Sequence, residues 1–410
     1  MSGSSAPKIQ VAVDAIRAEN PDLLDATRSE ITPLETPRIH VGIDATIWSN
    51  EPRGHSLYAM RLCEQLPYLL PNATFTAFCQ HKIHLDGELA NWNLGSWRNV
   101  YGNATWLPPV LWNKLVLGKL CKRDHVDIFW SPYSFLPKLP RKIRTLLTIL
   151  DFTSKISPAS FDPLHLAAHR LFAARDARRA DSLLTISEGT KQLIQQHYGL
   201  SSLVIPPAVD EIFSRPSNST LSETLAQYQI QTPYLFNIAA WEPRKNVGNL
   251  IRAFLTLKNQ GKLPNHTLVL AGKPGRSSTE IQNLIQGHEK HIKVLGYVRR
   301  EHLPSLYAGA EALVFPSLYE GFGMPVAEAI QCGTHVITTD SIELRQAGGK
   351  NCTYVQPTEE GIRHGIETLG SLPRQPTEPP PRTSWACRAA ILAKEISQLA
   401  HAPLKSHSGH

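Results

Sequence analysis

Short, nearly unbroken apolar runs alternate along this chain with longer stretches whose apolar residues recur every three or four positions. In the first half the runs IHVGID (39–44), ATFTAFC (73–79), VDIFW (126–130), RTLLTIL (144–150), SLLTIS (182–187) and SLVIP (202–206) predict strands. Helix-period stretches lie between them, near 56–69, 110–123, 163–180 and 188–198. The second half repeats the theme, with strands at YLFNIAA (234–240), HTLVLAG (266–272), IKVLG (292–296), EALVFP (311–316) and THVITT (334–339). Its helices fit near 246–259, 278–288, 301–308, 323–331 and 358–369. Val, Ile and Leu without polar alternation suit parallel strands covered on both faces by helices. Two successive arrays of this kind predict an α/β protein of two doubly wound, Rossmann-like domains.

The join is expected near PPAVDEIFSRPSNSTLSETLAQ (206–227), where prolines, serines and asparagine interrupt the pattern. The domains expected are therefore 38–207 and 208–384. An acidic extension and linker precede them over 1–37. A last helix over 385–402 follows the proline-rich LPRQPTEPPPRTSW (372–385) and is expected to pack back on the first domain, and 403–410 reads as a disordered tail.

At 410 residues, 42% of them hydrophobic and 19% charged, the chain can bury two cores and does not have a disordered composition. No apolar run approaches the roughly 20 residues of a membrane span. The start, MSGSSAPKIQVAVDAI, lacks a basic stretch followed by an apolar core, so a cytoplasmic protein is expected. Six cysteines without C-x-x-C spacing fit free thiols in a reducing compartment. The net charge of +7 is unevenly placed: residues 1–36 hold 3 basic against 6 acidic side chains, residues 37–205 hold 19 against 12, and the remainder 20 against 17. A basic first domain suits an anionic partner, such as a phosphate-bearing substrate or an anionic membrane. No helix-turn-helix, RRM or zinc-ligand pattern supports nucleic acid as that partner. Within this domain, LPPVLWNKLVLGKLCKR (107–123) and LHLAAHRLFAARDARRAD (164–181) mix apolar and cationic residues at helical spacing. Peripheral membrane contact at its inner face and ordinary sheet-covering helices are both open readings.

The chemistry concentrates in SLYEGFGMPVAEAIQCGTHVITTD (317–340). A strand ends, Gly321-Phe322-Gly323 turns, and a helix opens at Met324 with Pro325 in its first turn. Ligands in open parallel sheets bind beyond the carboxyl ends of strands. Glycines let the backbone approach, and the amides of Phe322 to Met324 lie at a positive helix end, which makes a phosphate site. Two carboxylates, Glu320 and Glu328, flank that site. Beside a phosphate they require neutral hydrogen-bond donors, and sugar and ribose hydroxyls are such donors. The ligand implied is a diphosphate with a hydroxylated ring on each side. WEPRKNVGNLIRAF (241–254) supplies countercharge through Arg244 and Lys245, again where a strand hands over to a helix, and LAGKPG (270–275) adds Gly272 and Lys273 at a further strand end.

With these pieces in place, the second half resembles the retaining glycosyltransferases of family 4, which have the GT-B fold of two Rossmann-like domains facing across a cleft. The matching segments are EPRKN (242–246), LVLAGKPG (268–275), VLGYV (294–298), residues 303–339 and the pair SW (384–385), with looser matches at 127–137, 148–153 and 178–194. The resemblance implies a nucleotide-sugar as donor substrate. Glu320 would contact the sugar hydroxyls, Glu328 the ribose, and Lys245 with Arg244 the diphosphate. Phe322 and Gly323 amides would hold sugar or phosphate oxygens, and Tyr297 and Val298 would line the base. It further implies retention of anomeric configuration, no metal and no cofactor. Asp151, in TILDFT, and Gly54, in EPRGHSLYAMRL, fall on catalytic and glycine-loop positions of the first domain.

Three departures stand out. Leu150 precedes Asp151 where the family commonly has histidine, Ser56 replaces a second loop glycine, and Ala239-Ala240 stands where a polar residue often meets phosphate. The functional expectation is transfer of a hexosyl group, with a GDP-mannose-like donor favoured, to a saccharide or lipid-linked acceptor in polysaccharide biosynthesis. The alternative is a GT-B nucleotide-binding or scaffold protein that has lost turnover. The oligomeric state is not legible.

Overall fold

The computed structural model describes residues 37–46, 48, 54–82, 97–371 and 383–403. The chain divides into two compact units: one of the residues up to Leu150, Leu164–Ala208 and the stretch from Thr383, the other of Asp151–Pro163 and Val209–Arg382.

The first unit is built on seven parallel strands: β1 (His40–Asp44), β2 (Thr74–Cys79), β3 (Trp97–Tyr101), β4 (Ile128–Ser131), β5 (Arg144–Ile149), β6 (Ser182–Thr185) and β7 (Leu203–Val204). Their order is β3-β2-β1-β4-β5-β6-β7. Helix α1 (His55–Leu69) buries Tyr58, Leu62, Cys63 and Leu66 in the same core as Val41, Ile43, Trp130 and Leu146. The final helix, Trp385–His401, joins that core through Ala389, Leu392 and Ile396, and its Trp385 ring meets Tyr58 edge-on at 6.0 Å. Arg144 holds the far end of this helix by donating to the carbonyls of Ala402 (2.8 Å) and Pro403. Two longer helices, α2 (109–123) and α3 (163–179), each contain one π turn, at Asn113–Leu117 and His169–Ala173.

The second unit has six parallel strands, β8 (Tyr234–Ile238), β9 (Thr267–Ala271), β10 (Ile292–Gly296), β11 (Ala312–Phe315), β12 (His335–Thr339) and β13 (Cys352–Val355), in the order β10-β9-β8-β11-β12-β13. In each sheet the winding reverses between two neighbours, β1 and β4 in one and β8 and β11 in the other. A reversal of this kind leaves a crevice beyond the carboxyl ends of those two strands.

The structure departs from the sequence reading in several places, among them the short helix Ile342–Gly348, which the apolar pattern did not predict. Edge strands β3 and β13 escaped notice because they read WRNVY and CTYV, short and partly polar, as edge strands tend to be. The presumed linker contains helix α4 (Asn218–Gln227), whose Ser217 side chain accepts from the Thr220 amide and whose Leu225 enters the core. Removing that cap with Ser217→Ala is expected to cost about 1 kcal/mol of stability, read as a small drop in the unfolding midpoint. Residues 151–163, expected within 38–207, cluster with the second unit: the Phe152 amide donates to the Tyr319 hydroxyl at 2.8 Å. The extension over 1–37 and the tail over 403–410 lie, except for residues 37 and 403, outside the described residues.

Candidate functional site

The crevice of the second sheet is framed by the loops that leave β8 and β11. Leaving β8, the chain makes a 3₁₀ turn over Pro243–Lys245 and reaches Asn246, which adopts a left-handed conformation (φ 59°) before helix α5 (Val247–Asn259). The two loops are laced together. The Leu318 amide donates to the Arg244 carbonyl at 2.7 Å, Arg244 Nη1 donates to the Tyr319 carbonyl at 3.2 Å, and Asn246 Nδ2 donates to the carbonyls of Pro316 (3.1 Å) and Pro357 (2.8 Å). Backbone of one loop is thus fixed by side chains of the other, which holds Arg244 and Lys245 against Glu320.

Those three form the charged centre. Lys245 Nζ lies 2.5 Å from Glu320 Oε1 and Arg244 Nη1 3.2 Å from Glu320 Oε2, with the Lys245 and Glu320 side chains only 12% and 10% exposed. Burial pushes the Glu320 carboxyl up, but the charges of Lys245 and Arg244 outweigh it and hold it below its ordinary value. Burial lowers the Lys245 ammonium, and the attraction of Glu320 offsets that only in part. Asp151, from the segment that joins this unit, adds a smaller attraction on Lys245 while its Oδ1 accepts from the Thr153 amide at 2.7 Å. Arg244 and Lys245 are the two cations of this centre, held by Glu320 in direct contact and by Asp151 more weakly, and they are the groups that would meet an anionic ligand.

Next to them, helix α6 (Met324–Gln331) begins at Gly323, whose φ of 106° suits glycine; a Cβ there would come within 2.6 Å of Leu344. Phe322 is buried, and Gly321 and Met324 are partly exposed, so the turn presents backbone more than side chain. Gly272 ends β9 with φ 129°, its amide donating to the Gly296 carbonyl at 2.7 Å, and a Cβ would stand 1.9 Å from the Ala239 carbonyl oxygen. Only glycine lets that strand end press on the one beside it.

Glu328, one turn into α6, is half-buried. Its Oε2 accepts from the Tyr307 hydroxyl at 2.9 Å. Burial is the main cause that pushes its carboxyl up to about 7, with Arg300 pulling it down and Asp210 pushing it further up. Arg300 and Asp210 form an ion pair, and the Arg300 guanidinium stacks 5.1 Å over the Phe213 ring. Val298 is buried in the core, whereas Tyr297 is 48% exposed with Lys273 Nζ 5.4 Å above its ring.

Of the candidate site residues singled out in the sequence, all but Gly54 therefore belong to the second unit, and Arg244, Lys245 and Glu320 are in contact. Gly54 belongs to the first unit, where it precedes α1 with φ 50°. Tyr307, Arg300, Asp210 and Tyr319 were missed. Only Arg300 carried a signal, in the basic pair that follows the strand end VLGYV. Among the described residues, no group of three His, Cys, Asp or Glu could hold a metal ion.

Residues 225–351 match the family of glycosyl transferases group 1. This part of the chain is a group 1 glycosyl transferase domain. The matched stretch contains Lys245, Glu320, Glu328 and all but Asp210 of their partners beyond Asp151. Over 246 residues, 58% of its length, the chain is 30% identical to O-antigen chain mannosyltransferase B of Escherichia coli, spanning 63% of that protein, just under two thirds. It is 26% identical to O-antigen chain mannosyltransferase RfbU of Salmonella typhimurium, covering 65% of this chain and 72% of the relative. The crystal structure of WaaG, a glycosyltransferase involved in lipopolysaccharide biosynthesis, superposes with a TM-score of 0.63 at 15% identity, over 88% of this chain and all of that one. The fold around the group 1 domain is accordingly GT-B, two parallel-sheet α/β domains.

Proposed function

We propose that the protein is a retaining glycosyltransferase that moves a hexosyl group, mannose from a GDP-mannose-like donor, to a saccharide or lipid-linked acceptor. The observation that carries this reading is the Arg244–Lys245–Glu320 cluster at the strand-order reversal of the group 1 domain. Preorganised positive charge beside a helix end stabilises the negative charge that builds on a leaving diphosphate, commonly the largest catalytic contribution. Glu320 then orients the sugar, and Glu328 with its Tyr307 partner meets the ribose hydroxyls. The mannosyltransferase names of the relatives favour mannose. In this reading the diphosphate is neutralised by side chains, without a metal ion, and the work is done in the cytoplasm.

Leu150 favours a second reading. It packs against the first unit's core and its side chain offers no hydrogen bond where the family commonly places histidine, which fits a scaffold that retains nucleotide without turnover. One experiment separates the two. The purified chain is incubated with GDP-mannose, UDP-glucose and other common donors, with and without EDTA, and sugar release and transfer are followed by NMR. Release of an α-configured mannosyl product, unchanged by EDTA, is expected. Binding of nucleotide with no release from any donor would replace the proposal with the scaffold reading.

A further inference from the structure

Helices α2 and α3 of the first unit lie side by side and advance in step. Val110 of α2 packs with Ala168 and Phe172 of α3 around Phe135, and one turn later Lys114 stands 4.8 Å over the Phe172 ring and pairs with Asp176. Along one flank of this seam, α2 exposes Leu111, Leu115, Lys119 and Lys122, and α3 exposes Leu164, Leu171, Arg175 and Arg178. Both stripes change from apolar to cationic in the same direction. Because the helices run in step, the apolar halves adjoin and so do the cationic halves. Trp106, in the turn before α2, is 81% exposed and extends the apolar half.

Scattered exposed leucines need no explanation, but a grouped set does. Of seven large apolar side chains that the first unit exposes among the described residues, five belong to this surface. Its charge has one sign. α2 carries four basic residues and no acidic one, and the single acid of α3, Asp176, is buried and engaged by Lys114 and Arg179. Nucleic acid would answer the charge without rewarding a tryptophan and four leucines. An apolar protein face would cover the leucines and leave the arginines unmatched. A bilayer with anionic headgroups offers both at the required spacing: hydrocarbon for the apolar half and phosphates for the cationic rim.

We propose that this two-helix surface docks the protein on an anionic lipid bilayer, with Trp106 and the leucines entering the boundary between headgroups and acyl chains. The proposal stands on the first unit alone and is independent of the donor chemistry above. It also agrees with the absence, among the described residues, of any helix long and apolar enough to cross a membrane, since docking needs none.

The test is co-sedimentation of the full-length chain with vesicles of phosphatidylcholine alone and of phosphatidylcholine with phosphatidylglycerol. Binding at least roughly tenfold tighter to the anionic vesicles, weakened by salt, is expected. The double variant Leu115→Asp/Leu171→Asp should lose it, and Lys119→Glu/Arg175→Glu should weaken it by roughly fivefold or more per residue. All four positions are exposed, so the variants should melt with the wild type, which the same samples check. Equal binding to neutral vesicles, no binding to either, or undiminished binding of both variants would overturn the proposal.

Discussion

Lys245→Met is expected to lower kcat by about 10²–10³-fold, the scale on which single charge-stabilising groups act at a leaving oxyanion. Methionine keeps an unbranched stem to pack against the Phe315 ring, which the ammonium now overlies at 5.2 Å, and removes only the charge. The protein should survive the change. Breaking a buried ion pair costs about 3–5 kcal/mol when a charge is left alone, but Glu320 retains Arg244 at 3.2 Å and so is not left alone. Stability should therefore fall by less than that range while turnover collapses. Arg244→Met should damage stability more relative to activity, because Arg244 also braces the Tyr319 carbonyl and so the loop itself. Steady-state kinetics beside melting curves read both. If Lys245→Met kept turnover within tenfold of the wild type, the leaving-group role assigned to Lys245 would be wrong.

Glu320 shows how far sequence reasoning reaches and where it stops. From the residues alone, two carboxylates beside a phosphate site required hydrogen-bond donors, and hydroxyls of a ligand were the donors available to the argument. The structure supplies partners from within the protein: two cations for Glu320 and a phenol for Glu328. Arg244 and Lys245 were legible because they follow a strand end in the chain, but their contact with a residue about 75 positions away follows from β8 and β11 being neighbours across the reversal. Tyr307 gave no signal, since it lies in an apolar helix where a tyrosine reads as core. Its hydroxyl faces Glu328 only because helices pack. Asp210 and Arg300 are 90 positions apart, and only the fold pairs them.

The same contrast runs through the fold. Val, Ile and Leu runs located the inner strands to within a residue or two, since a strand buried on both faces has no polar alternation to blur it. Edge strands β3 and β13 and helix α4 sit where burial is partial, so their composition says less. The segment 151–163 could not be assigned from sequence, because its membership rests on long-range contacts such as that between Phe152 and Tyr319. Helix α2 against α3 is a middle case: the mixture of apolar and cationic residues was plain, while the in-step pairing that gathers it into one surface needed coordinates.

Donor affinity is expected to rise with pH through about 7 and to lose that dependence in Glu328→Gln. With its carboxyl pushed up to about 7, chiefly by burial, Glu328 is largely protonated at pH 5.5 and largely ionised at pH 8. Ribose hydroxyls donate best to the ionised form, and hydrogen bonds to a charged acceptor contribute about 1.5–3 kcal/mol each. Binding should therefore pull the carboxyl down and release a proton near neutral pH, which calorimetry in buffers of different ionisation heat detects. A nucleotide-sugar is the ligand to use, because each of its phosphates is doubly substituted, by one ester and the shared anhydride, and carries no second ionisation in this range to obscure the effect. For the free protein the sign is opposite. A carboxyl raised in the folded state holds its proton more tightly there than in the unfolded chain, so its contribution to stability falls as pH climbs from the ordinary glutamate value towards 7. Glu328→Gln should abolish both trends, flattening the affinity profile and making the free protein relatively more stable at pH 8. Affinity that stays level in the wild type from pH 5.5 to 8, with no proton released, would remove Glu328 from the ribose and leave it as the buried partner of Tyr307.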